Sequence, residues 1–297
     1  MTSRSRKTLL RDHADARMVS AEAAAGQQRT IVQLDPDHPG FRDPEYRERR
    51  NRIAQLGLDY RSGAPVPDAP YTTEEHALWR TIRDALDPVH ARHACSEYRE
   101  GCRRLDLPRE RIPQLREVSA KVEALSGFRL EPVAGLVDPR IFLESLADGV
   151  FLCTQYIRHH STPFYTPEPD VVHELLGHAS TLASPRLARL NRLVGEAVRR
   201  TRAPEALERL SRVYWFTIEF GVIREEGAIK AVGTGLLSSA GEMQSMHEAA
   251  LLPLDLETAS RTDYDPTHFQ PRLFCADSFD ALEAALGSFL DEWMKGT

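Results

Sequence analysis

The 297-residue sequence has no run of about twenty apolar residues, the length a helix needs to cross a bilayer. Nor do Met1 to Gln28 contain the short apolar block of a secretory leader, so the chain is expected in the cytoplasm. Basic charge is not in excess: 38 Lys and Arg face 44 Asp and Glu, a net of -6, and no Lys/Arg stripe is interleaved with aromatics. Nucleic acid, whose phosphates call for such a stripe, is not an expected partner. Cysteine is scarce. The four present, Cys95, Cys102, Cys153 and Cys275, form no C-x-x-C pair and read as reduced thiols in a chain large enough to fold without staples.

What remains is ordinary globular composition, 41% hydrophobic and 28% charged, compatible with one large domain and one sizeable core. Residues 1–32 show little apolar periodicity and read as a mobile lead, with a single catalytic domain over 33–297. Proline-rich extended passages follow, from Leu34 through Pro44 and from Gly63 to Pro70. From Thr72 the period turns helical: Thr72 and Glu75 make a capping box, and the amphipathic stretch is expected to be interrupted by Pro88. Further helices are expected at Ile112 to Leu125, stopped by Gly127, at Pro139 to Ala147, at Pro185 to Thr201 behind Ser184, at Glu205 to Glu219 and at Phe279 to Met294. Strand signal is confined to Phe220 to Leu237, where Glu226-Gly227 predicts a hairpin. The fold class is mainly α with a small β-hairpin or sheet, and no internal repeat is present.

Chemistry concentrates in YTPEPDVVHELLGH, Tyr165 to His178, which sets His173 and His178 five residues apart beside Glu174. Two imidazoles and a carboxylate suit a first-row divalent ion. The zinc-peptidase pattern H-E-x-x-H needs a spacing of four; at five, a straight α-helix separates the rings by about 140°. Gly177 is therefore expected to end the helix and let His178 swing back, with Pro167 and Pro169 setting the entry. A carboxylate ligand is still needed. Aromatic residues are only 7% of the chain, yet Tyr214, Trp215, Phe216 and Phe220 crowd around one acid, Glu219, and such a carboxylate is costly to bury unless paired or bound to a cation. Glu219 is the expected third ligand. Two histidines and one carboxylate, with positions left open, is the arrangement of non-heme iron(II) oxygenases.

The strings TQYIRH, TPEPDVVHELLGH, YWFTIEFG and GLLSSAGE resemble the catalytic domain of the pterin-dependent aromatic amino acid hydroxylases, the phenylalanine, tyrosine and tryptophan hydroxylases. LDPDHPGF, the stretch Tyr60 to Pro67, and IPQL followed by GFRLEPVAGL are similar in the same order, from about residue 33 to 285. The resemblance implies an aromatic amino acid hydroxylase catalytic-domain fold. It implies Fe(II) bound by His173, His178 and Glu219, tetrahydrobiopterin or a similar tetrahydropterin, and dioxygen as co-substrate. Glu174 is implied as an acid near the pterin with a catalytic role. Arg158, helped by Thr166 and Ser238, is implied to grip the amino acid's carboxylate, a task that suits a planar, permanently charged fork. Trp215 and Pro169 would line the slot for the ring. Phe142, with Val137 and Leu143, would receive the pterin.

The chain departs from the family's usual pattern at Leu152, at Thr234 within Gly233-Thr234-Gly235 and at Ala240, changes expected to lie near the pterin and substrate. Trp215 resembles phenylalanine and tyrosine hydroxylases, and Pro266, in a loop where tyrosine hydroxylases carry Asp, favours phenylalanine. The expected reaction is ring hydroxylation of L-phenylalanine, to tyrosine or to meta-tyrosine. Tyrosine or tryptophan hydroxylation is the alternative within the family. A zinc hydrolase with Glu174 as base, and a non-catalytic amino acid or pterin binding protein, are the alternatives outside it. With no room for a regulatory domain or a tetramerisation helix, a monomer or weak dimer is expected.

Overall fold

Side chains at the caps decide where the helices start. In the computed structural model, which describes residues 34–166, 168–266 and 268–296, the helix Thr73–His93 begins at the expected box: the Thr72 hydroxyl accepts from the Glu75 amide and the Glu75 carboxylate accepts from that of Thr72. Asp138 and Ser184 cap Pro139–Ala147 and Pro185–Arg200, each with proline in the first turn. Leu115–Ser126 ends on Gly127 at φ 74°, the left-handed conformation that glycine adopts without strain. The lead over 1–32 lies outside the described residues.

Two expectations are corrected here. Pro88 does not interrupt its helix, which runs on to His93. Proline inside a helix costs about 3 kcal/mol, but Leu86 and Val89 beside it are fully buried, and burying such side chains returns about 1.5–3 kcal/mol each. Strands are also not confined to the predicted hairpin. Arg129–Pro132 (β1) pairs in parallel with Val150–Cys153 (β2). A four-stranded sheet runs in the order β4-β3-β6-β5, from Val222–Glu225 (β3), Ala228–Ala231 (β4), Ala250–Pro253 (β5) and Arg272–Ala276 (β6). Runs of four or five residues are too short to give a period-2 signal. The hairpin itself is as read: Glu225 faces Ala228, and Glu226 and Gly227 both take positive φ, 53° and 75°.

Helices Pro44–Asp59 and Ser96–Leu105 were not foreseen. The first supplies Arg50, whose buried guanidinium donates to both Glu168 oxygens and to the Tyr156 hydroxyl, fixing the loop that leads into the two histidines. One large core joins Trp79, Tyr98, Phe128 and Phe151 to Leu175, Leu176 and Ala179 of the histidine segment. The four cysteines are free thiols, and no described helix is long and apolar enough to cross a membrane.

Candidate metal and substrate site

Residues five apart share a face only if the helix is wound more loosely than an α-helix. His173–Ala179 is wound that way, as a π-helical segment running into Ser180–Leu182, and its i→i+5 ladder stacks His173 and His178 on one side. The expected helix end at Gly177 is thereby corrected: the backbone continues, and the missing side chain serves another purpose. A Cβ on Gly177 would lie 3.0 Å from the Thr234 carbonyl oxygen, so glycine admits the close approach of that segment. A second π-helical turn, Trp215–Glu219, closes the helix Pro204–Tyr214 and delivers Glu219.

The three groups meet. The Nε2 atoms of His173 and His178 are 3.0 Å apart, Glu219 Oε1 is 3.0 Å from His178 Nε2, and Glu219 Oε2 is 3.8 Å from His173 Nε2. Ser238 fixes the protonation of His173: its hydroxyl donates to the Gly235 carbonyl, so it accepts from His173 Nδ1–H at 2.9 Å, which leaves Nε2 as a bare lone pair. Burial also lowers the pKa of His173, to about 4, so the ring is neutral at pH 7. For Glu219 burial, the largest single influence, acts upward, but His178, His173 and the Thr234 hydroxyl together outweigh it and hold the carboxyl at about 2. The bare Nε2 of His173, a second imidazole and the Glu219 carboxylate, converging on one point, are the kind of donor set that a divalent cation takes.

Glu174 offers a second carboxylate beside the histidines. Its Oε1 is already held by the Thr154 amide at 3.1 Å and hydroxyl at 3.0 Å, and burial raises its pKa to about 7. Glu219, not Glu174, reaches both imidazoles with its two oxygens.

Arg158 is placed differently from the expectation. Its Nε and Nη2 donate to the two oxygens of Asp170 at 2.9 and 2.7 Å, and both side chains are buried. The two-pronged contact foreseen for a substrate carboxylate is thus occupied by Asp170, which also accepts from the His173 amide at the start of the histidine helix. Ser238, foreseen on the same carboxylate, faces His173 instead. Thr166 keeps a buried hydroxyl with no partner among the described residues.

The residues expected to line the ring slot are held by aromatic stacking and hydrogen bonds. Trp215 stacks on Tyr264 at 4.1 Å and lies 4.4 Å from Phe220, while its Nε1 donates to Gln270 Oε1 at 3.1 Å. Gln270 Nε2 donates to the Asp265 and His268 carbonyls, tying the loop to that wall. Pro169 is half-buried, its carbonyl oxygen 3.2 Å from the Thr154 hydroxyl. Phe142 and Val137 keep part of their surface open, with the Phe142 ring edge-on to Phe151 and Tyr214, while Leu143 is buried in the main core. Asp170, Thr154, Tyr264 and Gln270 escaped the sequence reading. Only Asp170 carried a signal, an acid just before the apolar Val171-Val172 at a helix start.

Glu242 sits beside this wall, 8% exposed, accepting from the Gln270 amide at 2.8 Å, and burial lifts its carboxyl from 4.5 to about 7. Because the folded pKa lies above the unfolded one, the protein loses stability as pH rises through this window and keeps the penalty above it. Glu242→Gln, which retains an oxygen for Gln270, should raise the melting temperature near pH 8 and leave it almost unchanged below pH 4.5. An equal shift at both pH values would show that ionisation is not the cause.

A π-wound pair of histidines, a buried glutamate and a stacked aromatic wall, on a mainly helical scaffold, define a metal-dependent oxygenase-type site. The family model described as biopterin-dependent aromatic amino acid hydroxylase matches residues 24–296, and the chain belongs to that family. It is 44% identical over 265 residues to phenylalanine-4-hydroxylase of Mus musculus, covering 87% of this chain and 58% of that protein. Phenylalanine 3-hydroxylase of Streptomyces coeruleorubidus is 43% identical over 254 residues, covering 86% of this chain and 91% of the relative. Among solved structures, Chromobacterium violaceum phenylalanine hydroxylase with iron(III) and 7,8-dihydrobiopterin superposes with a TM-score of 0.74 at 30% identity, over 84% of this chain and 92% of that one.

Proposed function

We infer that the chain is an iron(II)- and tetrahydropterin-dependent monooxygenase that hydroxylates the ring of L-phenylalanine. The observation that carries the reading is the convergence of His173 Nε2, His178 Nε2 and the Glu219 carboxylate, the last delivered by the turn that also carries Trp215. Those three groups would hold the metal. Iron(II) with dioxygen and tetrahydropterin supplies the oxidant; the chain's part is to bind, orient and keep water out. Phe142 and Val137 would carry the pterin ring, with Glu174, half-protonated near neutrality, as the acid beside it. Thr166 and the Nη1 side of Arg158 would take the amino acid's carboxylate. Trp215 and Pro169 would orient the aromatic ring. The π-winding of the histidines gives no support to a zinc-hydrolase reading, which rests on an α-helical spacing of four.

Competition among phenylalanine, tyrosine and tryptophan at equal concentration tests the substrate, and phenylalanine is the expected preference. Trp215→Phe should move the phenylalanine-to-tryptophan ratio toward tryptophan by about 10-fold, the scale on which apolar pockets discriminate by size. A wild-type preference for tryptophan would sink the reading. A second outcome, meta rather than para hydroxylation, is favoured by the Streptomyces relative, which this chain nearly spans. Chromatography of the product against tyrosine and meta-tyrosine separates the two.

A further inference from the structure

We propose that Thr234 is a positioning residue for the metal-binding carboxylate. This rests on the reading of His173, His178 and Glu219 as ligands and extends it to a residue for which the family resemblance leads one to expect alanine. Thr234, a departure expected near the pterin and substrate, lies beside two of the metal ligands.

The Thr234 side chain is fully buried. Its Oγ1 lies 2.7 Å from Glu219 Oε2, 3.3 Å from His178 Nε2 and 3.3 Å from the Ile218 carbonyl oxygen. A hydroxyl has one proton, and the shortest contact, to a charged acceptor, takes it. Oε2 of Glu219 is therefore held by Thr234, while Oε1 is the oxygen turned to His178. The single turn Thr234–Leu237 carries Thr234 at its start and Ser238 at its end, four residues on, so both hydroxyls fall on one face. Ser238 holds His173 and Thr234 holds Glu219: one turn orients two of the three ligands. Gly177 is what lets that turn close against the histidine helix, since any side chain there would press on Thr234.

Outer hydrogen-bond partners of this kind fix which ligand atom faces the ion, and their loss weakens metal binding by roughly 10- to 100-fold. The test strips the protein with a chelator and titrates it with Co(II), reading both affinity and the visible absorption of the bound ion. Thr234→Val, nearly the same shape without the hydroxyl, should weaken binding 10- to 100-fold and alter the spectrum; Thr234→Ser should restore both. Wild-type affinity and an unchanged spectrum in Thr234→Val overturn the proposal. If circular dichroism shows that Thr234→Val does not fold, Thr234→Ala decides by the same readings. Glu219→Ala runs alongside: binding lost there but unchanged in Thr234→Val overturns the role of Thr234 alone, and binding unchanged in both overturns the ligand assignment beneath it.

Discussion

Alanine at His173, His178 or Glu219 should give a folded chain that retains no iron and hydroxylates nothing measurable. The loss should exceed the roughly 100-fold at which removal of an outer partner tops out, because a ligand atom itself is gone. Folding should survive: the three side chains point at one another, and the helices that carry them are anchored by Leu175, Leu176, Val213 and Ile218 in the main core. Glu219→Gln is the sharper variant, keeping shape and an acceptor for Thr234 while removing the charge. Metal analysis, circular dichroism and turnover on the same preparations check the expectation, and stoichiometric iron with wild-type turnover in any of these variants would remove the assignment.

Asp170→Ala should be the most destabilising single change near the site. It strands Arg158, 3% exposed, without its partner, and breaking a buried ion pair from one side costs about 3–5 kcal/mol. It also deprives the His173 amide of its acceptor at the helix start, a contact worth about 1 kcal/mol. Arg158→Ala should cost nearly as much in stability, since it leaves the fully enclosed Asp170 carboxyl without its guanidinium partner. Arg158→Lys keeps a charge but cannot span both Asp170 oxygens, so it should lower the melting temperature less while raising the Michaelis constant for the amino acid. Thermal melts at fixed pH read the first effect and steady-state kinetics the second. An Asp170→Ala protein that melts with the wild type would show that the pair is not what holds the histidine loop.

The converging trio His173, His178 and Glu219 was legible because its parts are chemically rare in their settings: two histidines shortly after two prolines, and one acid inside an aromatic run. Helices with a capping residue and a proline or glycine boundary, such as Pro139–Ala147 and Leu115–Ser126, were legible for the same reason. Less visible were helices rich in charge and poor in apolar residues. Pro44–Asp59 buries only Arg50, Ile53 and Ala54, so its apolar stripe is too thin to stand out. The short strands pair across long sequence distances, and nothing local marks Val150–Cys153 as the partner of Arg129–Pro132. Arg158 was recognised by type, yet its neighbour was not, because an arginine's fork fits a protein carboxylate as well as a substrate's. Gln270 could not have been singled out, since a lone glutamine carries no pattern; only the fold brings its two ends to Trp215 and to the loop at Asp265.

The loose winding of His173–Ala179 and Trp215–Glu219 makes the site intolerant of changes in chain length. Removing any one residue between His173 and His178 would let that stretch relax into the tighter α ladder, which is the more comfortable backbone. Both histidines would still be present, now four apart on a shared α-helical face, but everything after the deletion would be turned by about 100° against the core. Leu182 and Ala183, both fully enclosed, would have to rotate out, or the following helix would have to shift along its axis. Counting the residues between the two histidines is therefore as informative about a distant relative as finding the histidines themselves.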